Sequence, residues 1–304
     1  MSAAATSGAG HLPASILCAV DFSPQSERAL RHAVALTAVS GGRLTVVTVN
    51  DPLLEAAASA AGRGGTVRDQ VEAALVAILG RMPECTPRVI PAIEVVTGEA
   101  APEILRAAAR ANAALVVIGT QGLGGARKFV FGSTTEAVIR DTPIPVLAIP
   151  EYEPEHIDFA AGGTCLPFRH VVAAIGFDPY DAAVAGAAAA WATATNATLT
   201  LTHVCAEAPL PVWWPITDMP TPPALEESLD AARRRVEALA ATLGIPATAD
   251  VRRGSVSRTV AAVVHDSGAG LLVVSRGGTA HRVGTIAYRV MREADVPTLV
   301  VASS

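Results

Sequence analysis

Short apolar runs alternate with longer amphipathic segments along the first half of the chain. The short runs predict strands near residues 15–20, 44–49, 90–96, 114–118 and 144–149, and the longer segments predict helices near 24–39, 67–81, 101–111 and 134–141. Ser23 and Pro24 mark the start of the first helix, because serine caps backbone N–H groups and proline suits a first turn. Strands that are apolar on both faces and alternate with helices predict a parallel sheet covered on both sides.

The same pattern returns in the second half of the chain. Residues 16–24 align with residues 171–179 at an offset of 155, and residues 145–149 align with residues 297–301 at an offset of 152. The chain is therefore a tandem duplication. We predict a first domain at 1–150, a linker at 151–167 that is rich in proline, glutamate and glycine, and a second domain at 168–304.

Composition narrows the class of protein. The 304 residues are 51% hydrophobic and 17% charged, which excludes intrinsic disorder. A net charge of −5 is spread over both halves, so neither half is a basic nucleic-acid binder. The N-terminus lacks a basic region followed by an apolar stretch, and the longest uncharged run, 182–206, is better explained as a helix and a strand than as a membrane span. We expect a soluble, cytoplasmic protein that binds neither nucleic acid nor membrane.

A glycine pattern follows the predicted strand at 114–118. Gly119 and Gly122 are followed, after nine residues, by Gly132 and a predicted helix. Three hydroxyl side chains begin that helix: Ser133, Thr134 and Thr135. Glycines allow tight turns with accessible N–H groups, and a helix N-terminus adds a partial positive charge. The pattern predicts a backbone site for phosphate, to which the hydroxyls contribute further donors.

At these residues the chain resembles the ATP-binding subgroup of the universal stress protein family. The family signature G-2x-G-9x-G-(S/T) is matched in full by Gly119, Gly122, Gly132 and Ser133. The resemblance covers nearly the whole chain as two tandem domains. It implies two Rossmann-like α/β domains of the adenine nucleotide alpha hydrolase type, each with a five-stranded parallel sheet and helices on both faces.

The resemblance also implies where the nucleotide binds. Asp21, at the end of the first strand, is expected to contact the nucleoside, and backbone groups at Val49 are expected to face the adenine. The implied strand order 3-2-1-4-5 places Asp21 and Gly119 on either side of the point where the chain reverses its direction of sheet growth, which is where open α/β sheets bind ligands.

The second copy departs from the signature at the site. Gly176 stands at the position of the first copy's aspartate, with Asp178 two residues later, and Ser275 replaces the first signature glycine. Five residues separate Gly278 from Gly284, where the first copy has nine. We expect this copy to bind ATP poorly or not at all.

Simpler interpretations exist for individual residues. Asp21 suits a turn or a helix cap, and Ser133 and Thr135 suit the first turn of any helix. The sequence has no G-x-S-x-G turn, no Walker lysine motif and no HExxH or HxH spacing, so no catalytic residue and no protein metal site is predicted.

The sequence thus predicts a stress-response protein that binds ATP, with Mg²⁺ on the phosphates, in its N-terminal domain and acts as a regulatory or sensing module. The final strands of the two copies are expected to pair within one chain, and a homodimer and an unidentified protein partner are compatible with this organisation. Three alternatives stay open: a slow ATPase or autophosphorylating enzyme with Ser133 or a neighbouring hydroxyl as acceptor, a binder of AMP or a cyclic nucleotide, and a structural scaffold.

Overall fold

The computed structural model describes residues 12–62, 66–81, 89–121, 132–150, 168–206, 222–277 and 285–302. The first copy contains β1 (Ser15–Ala19), α1 (Pro24–Ser40), β2 (Arg43–Asn50), α2 (Pro52–Ala60), α3 (Thr66–Gly80), β3 (Ala92–Thr97), α4 (Ala100–Arg110), β4 (Leu115–Gly119), α5 (Ser133–Asp141) and β5 (Val146–Ile149). Each strand and helix predicted for this copy is present.

The second copy repeats this order of strands. It contains β6 (His170–Ala174), α6 (Asp181–Thr195), β7 (Thr198–Ala206), α7 (Pro222–Ala241), β8 (Thr248–Gly254), α8 (Val256–Ser267), β9 (Leu271–Ser275), α9 (Thr285–Ala294) and β10 (Thr298–Val301). The duplication seen in the sequence is therefore a duplication of structure.

The ten strands of the described residues form one sheet in the order β3-β2-β1-β4-β5-β10-β9-β6-β7-β8. Within each copy the strands are parallel and follow the implied order 3-2-1-4-5. The copies meet where β5 and β10 pair antiparallel, with Leu147 opposite Leu299. The pairing of the two final strands within one chain, expected from the sequence, is present.

Helices cover both faces of the sheet, as the apolar strands predicted. One buried cluster packs α1, α3, α6 and α7 against the sheet, and the other packs α4, α5, α8 and α9. Each cluster contains residues of both copies, so the core continues across the β5–β10 junction. None of the helices in the described part of the chain combines the length and apolar composition needed to cross a membrane.

The start of α1 matches its prediction. Ser23 is the N-cap, and its hydroxyl accepts a hydrogen bond from the Ser26 N–H at 3.2 Å, with Pro24 in the first turn. Helix α2, by contrast, was not predicted. Its Leu53 is 79% exposed, so this apolar residue does not face the core as the apolar residues of an amphipathic helix do. Asp51 nevertheless accepts a hydrogen bond from the Leu53 N–H at 2.7 Å, which stabilises the start of this helix.

Gly42, between α1 and β2, lies directly against the backbone of Ala14. A Cβ atom on Gly42 would sit 2.4 Å from the Ala14 carbonyl oxygen, which also accepts a hydrogen bond from the Arg43 N–H at 2.8 Å. Replacing Gly42 by alanine is therefore expected to lower the free energy of unfolding by about 1–3 kcal/mol, measured by urea denaturation. A Cβ atom on Gly186, inside α6, would meet nothing within 4 Å beyond the neighbouring backbone of its own helix. Gly186→Ala is the control and should stabilise the protein by about 0.5–1 kcal/mol; equal effects at both positions would contradict the close approach.

Candidate functional site

The candidate site lies at the carboxyl edge of the first copy's sheet. Strands β1 and β4 are neighbours there. Strands β2 and β3 continue the sheet beyond β1, and β5 continues it beyond β4. The connections after β1 and β4 therefore run in opposite directions and leave a crevice between them. Helices α1 and α5 follow these two strands, so both helices begin at the crevice.

Asp21 forms the turn between β1 and α1. Its Oδ1 atom accepts a hydrogen bond from the Ser23 N–H at 3.0 Å, and its own N–H donates to the Ser26 hydroxyl at 3.3 Å. Phe22, at the centre of the turn, has a φ of 64°. The turn thus holds Asp21 exposed at the carboxyl end of β1. Asp21 thus stabilises the turn, as the simpler interpretation of this residue expected. It also lies just beyond the end of β1, where a contact with the nucleoside was predicted.

Gly119 ends β4 against the first turn of α1. A Cβ atom there would lie 3.0 Å from the Cβ atom of Gln25 and 3.1 Å from its carbonyl carbon. Only glycine lets β4 and α1 approach this closely without displacing either one. The first signature glycine therefore allows the close packing of β4 against α1 beside the crevice.

Two hydrogen bonds hold the start of α5 beside the end of β4. The Gly132 N–H donates to the Thr120 carbonyl at 2.8 Å, and the Thr135 hydroxyl donates to the Gly119 carbonyl at 2.7 Å. The Thr120 N–H in turn donates to Ile149 at the end of β5, at 2.8 Å. The signature residues on the two sides of the nine-residue spacer are thereby brought together. Gly122 and all nine residues of that spacer, 123–131, lie outside the described residues.

Helix α5 begins with a glycine cap. Gly132 is the N-cap, with φ −61° and ψ 138°, and no side chain caps the helix there. The first N–H groups of a helix have no intrahelical acceptor and carry partial positive charge, which makes them an anion site. Ser133 is exposed, Thr134 is half-buried and Thr135 is buried. The Thr135 hydroxyl already donates its proton to the Gly119 carbonyl. The donor that Thr135 can offer to a ligand is therefore its backbone N–H.

Val49 lies near the end of β2, on the other side of β1. It is half-buried and pairs with Val96 of β3. Directly after β3, the Gly98 N–H donates to the Asn50 carbonyl at the end of β2, at 3.1 Å. The described residues predicted for the site therefore lie at the ends of three neighbouring strands, with Val49 on β2, Asp21 in the turn after β1 and Gly119 at the end of β4.

The equivalent edge of the second copy is occupied by its own carboxylates. Asp178 Oδ2 lies 3.1 Å from the position of a Cβ on Gly176, while Oδ1 accepts the Tyr180 N–H at 2.8 Å. Asp181 accepts the Gly176 N–H at 3.0 Å, and burial raises the pKa of this carboxyl. The Ser275 hydroxyl reaches Asp178 at 3.5 Å, across the crevice. Asp178 thus fills the space in which a side chain at position 176 would begin.

Aromatic stacking fills the neighbouring turn of the second copy, a feature that sequence reasoning missed. The ring of Phe177 stacks on His203 with centroids 3.8 Å apart, and the Arg235 guanidinium lies 4.1 Å from the Phe177 centroid. The His203 ring also bonds the Ile175 carbonyl through Nδ1 at 2.8 Å. The first copy has Thr48 where the second has His203. In the sequence, the one sign of this stack is that His203 stands in a strand at the position where the first copy has Thr48.

Comparison with known proteins identifies the family. The universal stress protein family profile matches residues 14–150 and again residues 167–302. A universal stress protein from Thermus aquaticus, encoded in the QAH/OAS sulfhydrylase 3′ region, is 32% identical over 139 residues, which are 44% of this chain and 96% of that protein.

Solved structures share the two-copy architecture. A universal stress protein from Archaeoglobus fulgidus superposes with a TM-score of 0.65 at 17% identity, covering 97% of this chain and 98% of its own. A protein of unknown function from Pseudomonas aeruginosa PAO1 superposes with a TM-score of 0.66 at 14% identity, covering 95% and 92%. With both halves of the sequence matched and the tandem fold shared, the chain belongs to the universal stress protein family.

Proposed function

We propose that the first copy binds ATP with Mg²⁺ and that nucleotide occupancy makes the protein a regulatory module in the stress response that its family serves. One observation carries the proposal: the pair of hydrogen bonds from Gly132 to Thr120 and from Thr135 to Gly119. These bonds present the start of α5, where no side chain caps the helix, at the same crevice as the exposed carboxylate of Asp21.

The residues at the crevice suit the chemistry of ATP. The N–H groups of residues 133–135 and the hydroxyl of Ser133 are donors for phosphate oxygens, and Asp21 is an acceptor for ribose hydroxyls. Backbone groups near Val49 are placed to face the base. No group of three or more His, Cys, Asp or Glu side chains in the described ranges is arranged to hold a metal ion, so Mg²⁺ would be carried mainly by the phosphates.

The second copy is proposed to be the weaker binder. Its crevice contains the carboxylates of Asp178 and Asp181, whose negative charge opposes a triphosphate. Ser275 also adds a side chain where the first copy has a glycine. Binding of one nucleotide per chain follows from this asymmetry.

Thermal unfolding with and without nucleotide tests the proposal. A ligand at 100 times its dissociation constant stabilises the folded state by about 2.7 kcal/mol, which for a chain of this size raises the melting temperature by roughly 4 °C. We expect this rise with MgATP and a smaller one with AMP at equal concentration, because AMP lacks the phosphates that reach α5.

The alternatives give different results in the same experiment. If AMP or cyclic AMP stabilises the protein as much as MgATP does, the ligand is another adenine nucleotide. If none of these nucleotides stabilises it, the protein is a structural scaffold. Release of labelled phosphate from γ-labelled ATP in a single-turnover assay, or transfer of the label to Ser133, would make the protein an enzyme.

A further inference from the structure

Helix α5 touches the second copy at the end opposite to the candidate site. The Arg276 guanidinium donates through Nη1 to the carbonyl oxygens of Arg140, at 2.9 Å, and Thr142, at 3.0 Å. Arg140 is in the last turn of α5, and Thr142 is its C-cap. One helix therefore has its first turn at the nucleotide crevice of the first copy and its last turn bonded to the second copy.

Arg276 is held firmly by its own copy. It directly follows β9, and its N–H donates to the Val301 carbonyl of β10 at 3.0 Å. Thr120 occupies the same place in the first copy, where its N–H donates to Ile149 of β5. The duplication thus has threonine at this position in the copy with the full glycine signature, and a long cationic side chain in the other.

The contact suits the end of a helix. The last carbonyls of a helix have no intrahelical donor and carry partial negative charge, so an arginine there both satisfies and neutralises them. Helix α5 has nine residues, and isolated helices of this length are marginal in water. Only Thr135, Val138 and Ile139 of this helix are buried. Its position depends on such tertiary contacts.

Tyr288 of α9 supplies a second contact from the same copy. Its hydroxyl donates to the Glu136 carbonyl in the first turn of α5, at 3.4 Å. Partial burial raises the pKa of this phenol, so it stays protonated and able to donate. The second copy therefore holds α5 near both of its ends.

We propose that Arg276 is a positioning residue that couples the second copy to the phosphate end of α5. By fixing the last turn, it keeps the first-turn N–H groups aligned at the crevice, so the ligand does not have to order them. The coupling is reciprocal, and phosphate bound at the first turn strengthens the contact of Arg276 with the last turn. This inference rests on the proposed nucleotide function.

Arg276→Gln tests the coupling in the full chain by two readouts. Without ligand, amide hydrogen exchange in residues 133–141 should become about tenfold faster, because the helix opens more often. The dissociation constant for MgATP, measured by calorimetry, should rise about 5- to 10-fold. Arg276→Lys, which keeps the charge and a donor, should restore part of both. Arg292→Gln, at an exposed arginine in the last turn of α9, is the control and should change neither.

The two readouts separate this inference from the function on which it rests. Faster exchange in α5 with weaker MgATP binding supports the coupling. Unchanged exchange, or faster exchange with unchanged MgATP affinity, overturns it. If the unmutated protein binds no MgATP, the proposed function fails and the coupling to a ligand fails with it, while the exchange result still decides whether Arg276 positions α5.

Discussion

Replacing Leu147 by alanine is expected to destabilise both copies together, lowering the free energy of unfolding by about 2–5 kcal/mol. Leu147 is fully buried on β5 and pairs with Leu299 of β10, which is 1% exposed, so the cavity would open at the junction of the copies. All three tryptophans, Trp191, Trp213 and Trp214, belong to the second half of the chain. Tryptophan fluorescence during urea denaturation therefore reports the second copy while the mutation lies in the first.

The shared core makes this a test of one cooperative unit. Because the cluster around Leu147 includes residues of both copies, the fluorescence transition should move to lower urea together with the loss of helical circular dichroism. Leu53→Ala, at a leucine that is 79% exposed on α2, is the control and should change stability by less than about 0.5 kcal/mol. A fluorescence transition that stays in place while circular dichroism shifts would show that the copies unfold independently.

Replacing Gly132 by aspartate is expected to abolish MgATP binding while leaving the fold intact. The backbone of Gly132, at φ −61° and ψ 138°, is one that any residue adopts, and aspartate is a favoured N-cap. Its carboxylate would accept hydrogen bonds from the first N–H groups of α5 and would repel phosphate. We expect MgATP affinity, measured by calorimetry, to fall at least about 100-fold, equivalent to roughly 2.7 kcal/mol.

Stability and binding should move separately in this variant. Exchange of a glycine cap for aspartate changes helix stability by only a few tenths of a kcal/mol, so the melting temperature without ligand should hardly change. Gly132→Ala adds a methyl group without an acceptor and should keep most of the affinity. If Gly132→Asp binds MgATP as tightly as the unmutated protein, the start of α5 is not the phosphate site.

The order of strands and helices was readable from the sequence because strands such as β1, β4 and β5 are short runs of buried, mainly apolar residues. The predicted ends of the strands were less accurate, because hydrogen bonding between neighbouring strands decides where a strand begins and ends. β2 begins at Arg43 because that residue pairs with Ser15, and β3 begins at Ala92, after Pro91, which has no N–H to donate. The sheet order, and with it the place of the crevice, came from the family resemblance.

The sequence predicted which positions of the chain belong to the candidate site. It did not predict which hydrogen bonds and ring contacts those residues make. The sequence placed Gly119 directly after a strand and Gly132 directly before a helix, close to where β4 ends and α5 begins, but nothing in it indicated that the Thr135 hydroxyl donates to the Gly119 carbonyl. The stack of Phe177 on His203 joins residues far apart in sequence, and local patterns carry no information on such pairs. Arg276 was equally hidden, because its partners are carbonyls, which every residue possesses.

The antiparallel β5–β10 junction also changes what mutation can do to this molecule. In an assembly of two identical chains, every substitution appears on both sides of the symmetry axis and must be tolerated twice. Here one covalent chain supplies both sides, and their local concentration is fixed by the connection rather than by expression level. Each half is therefore free to specialise, and a change that would ruin a symmetric pair can be kept in one half alone.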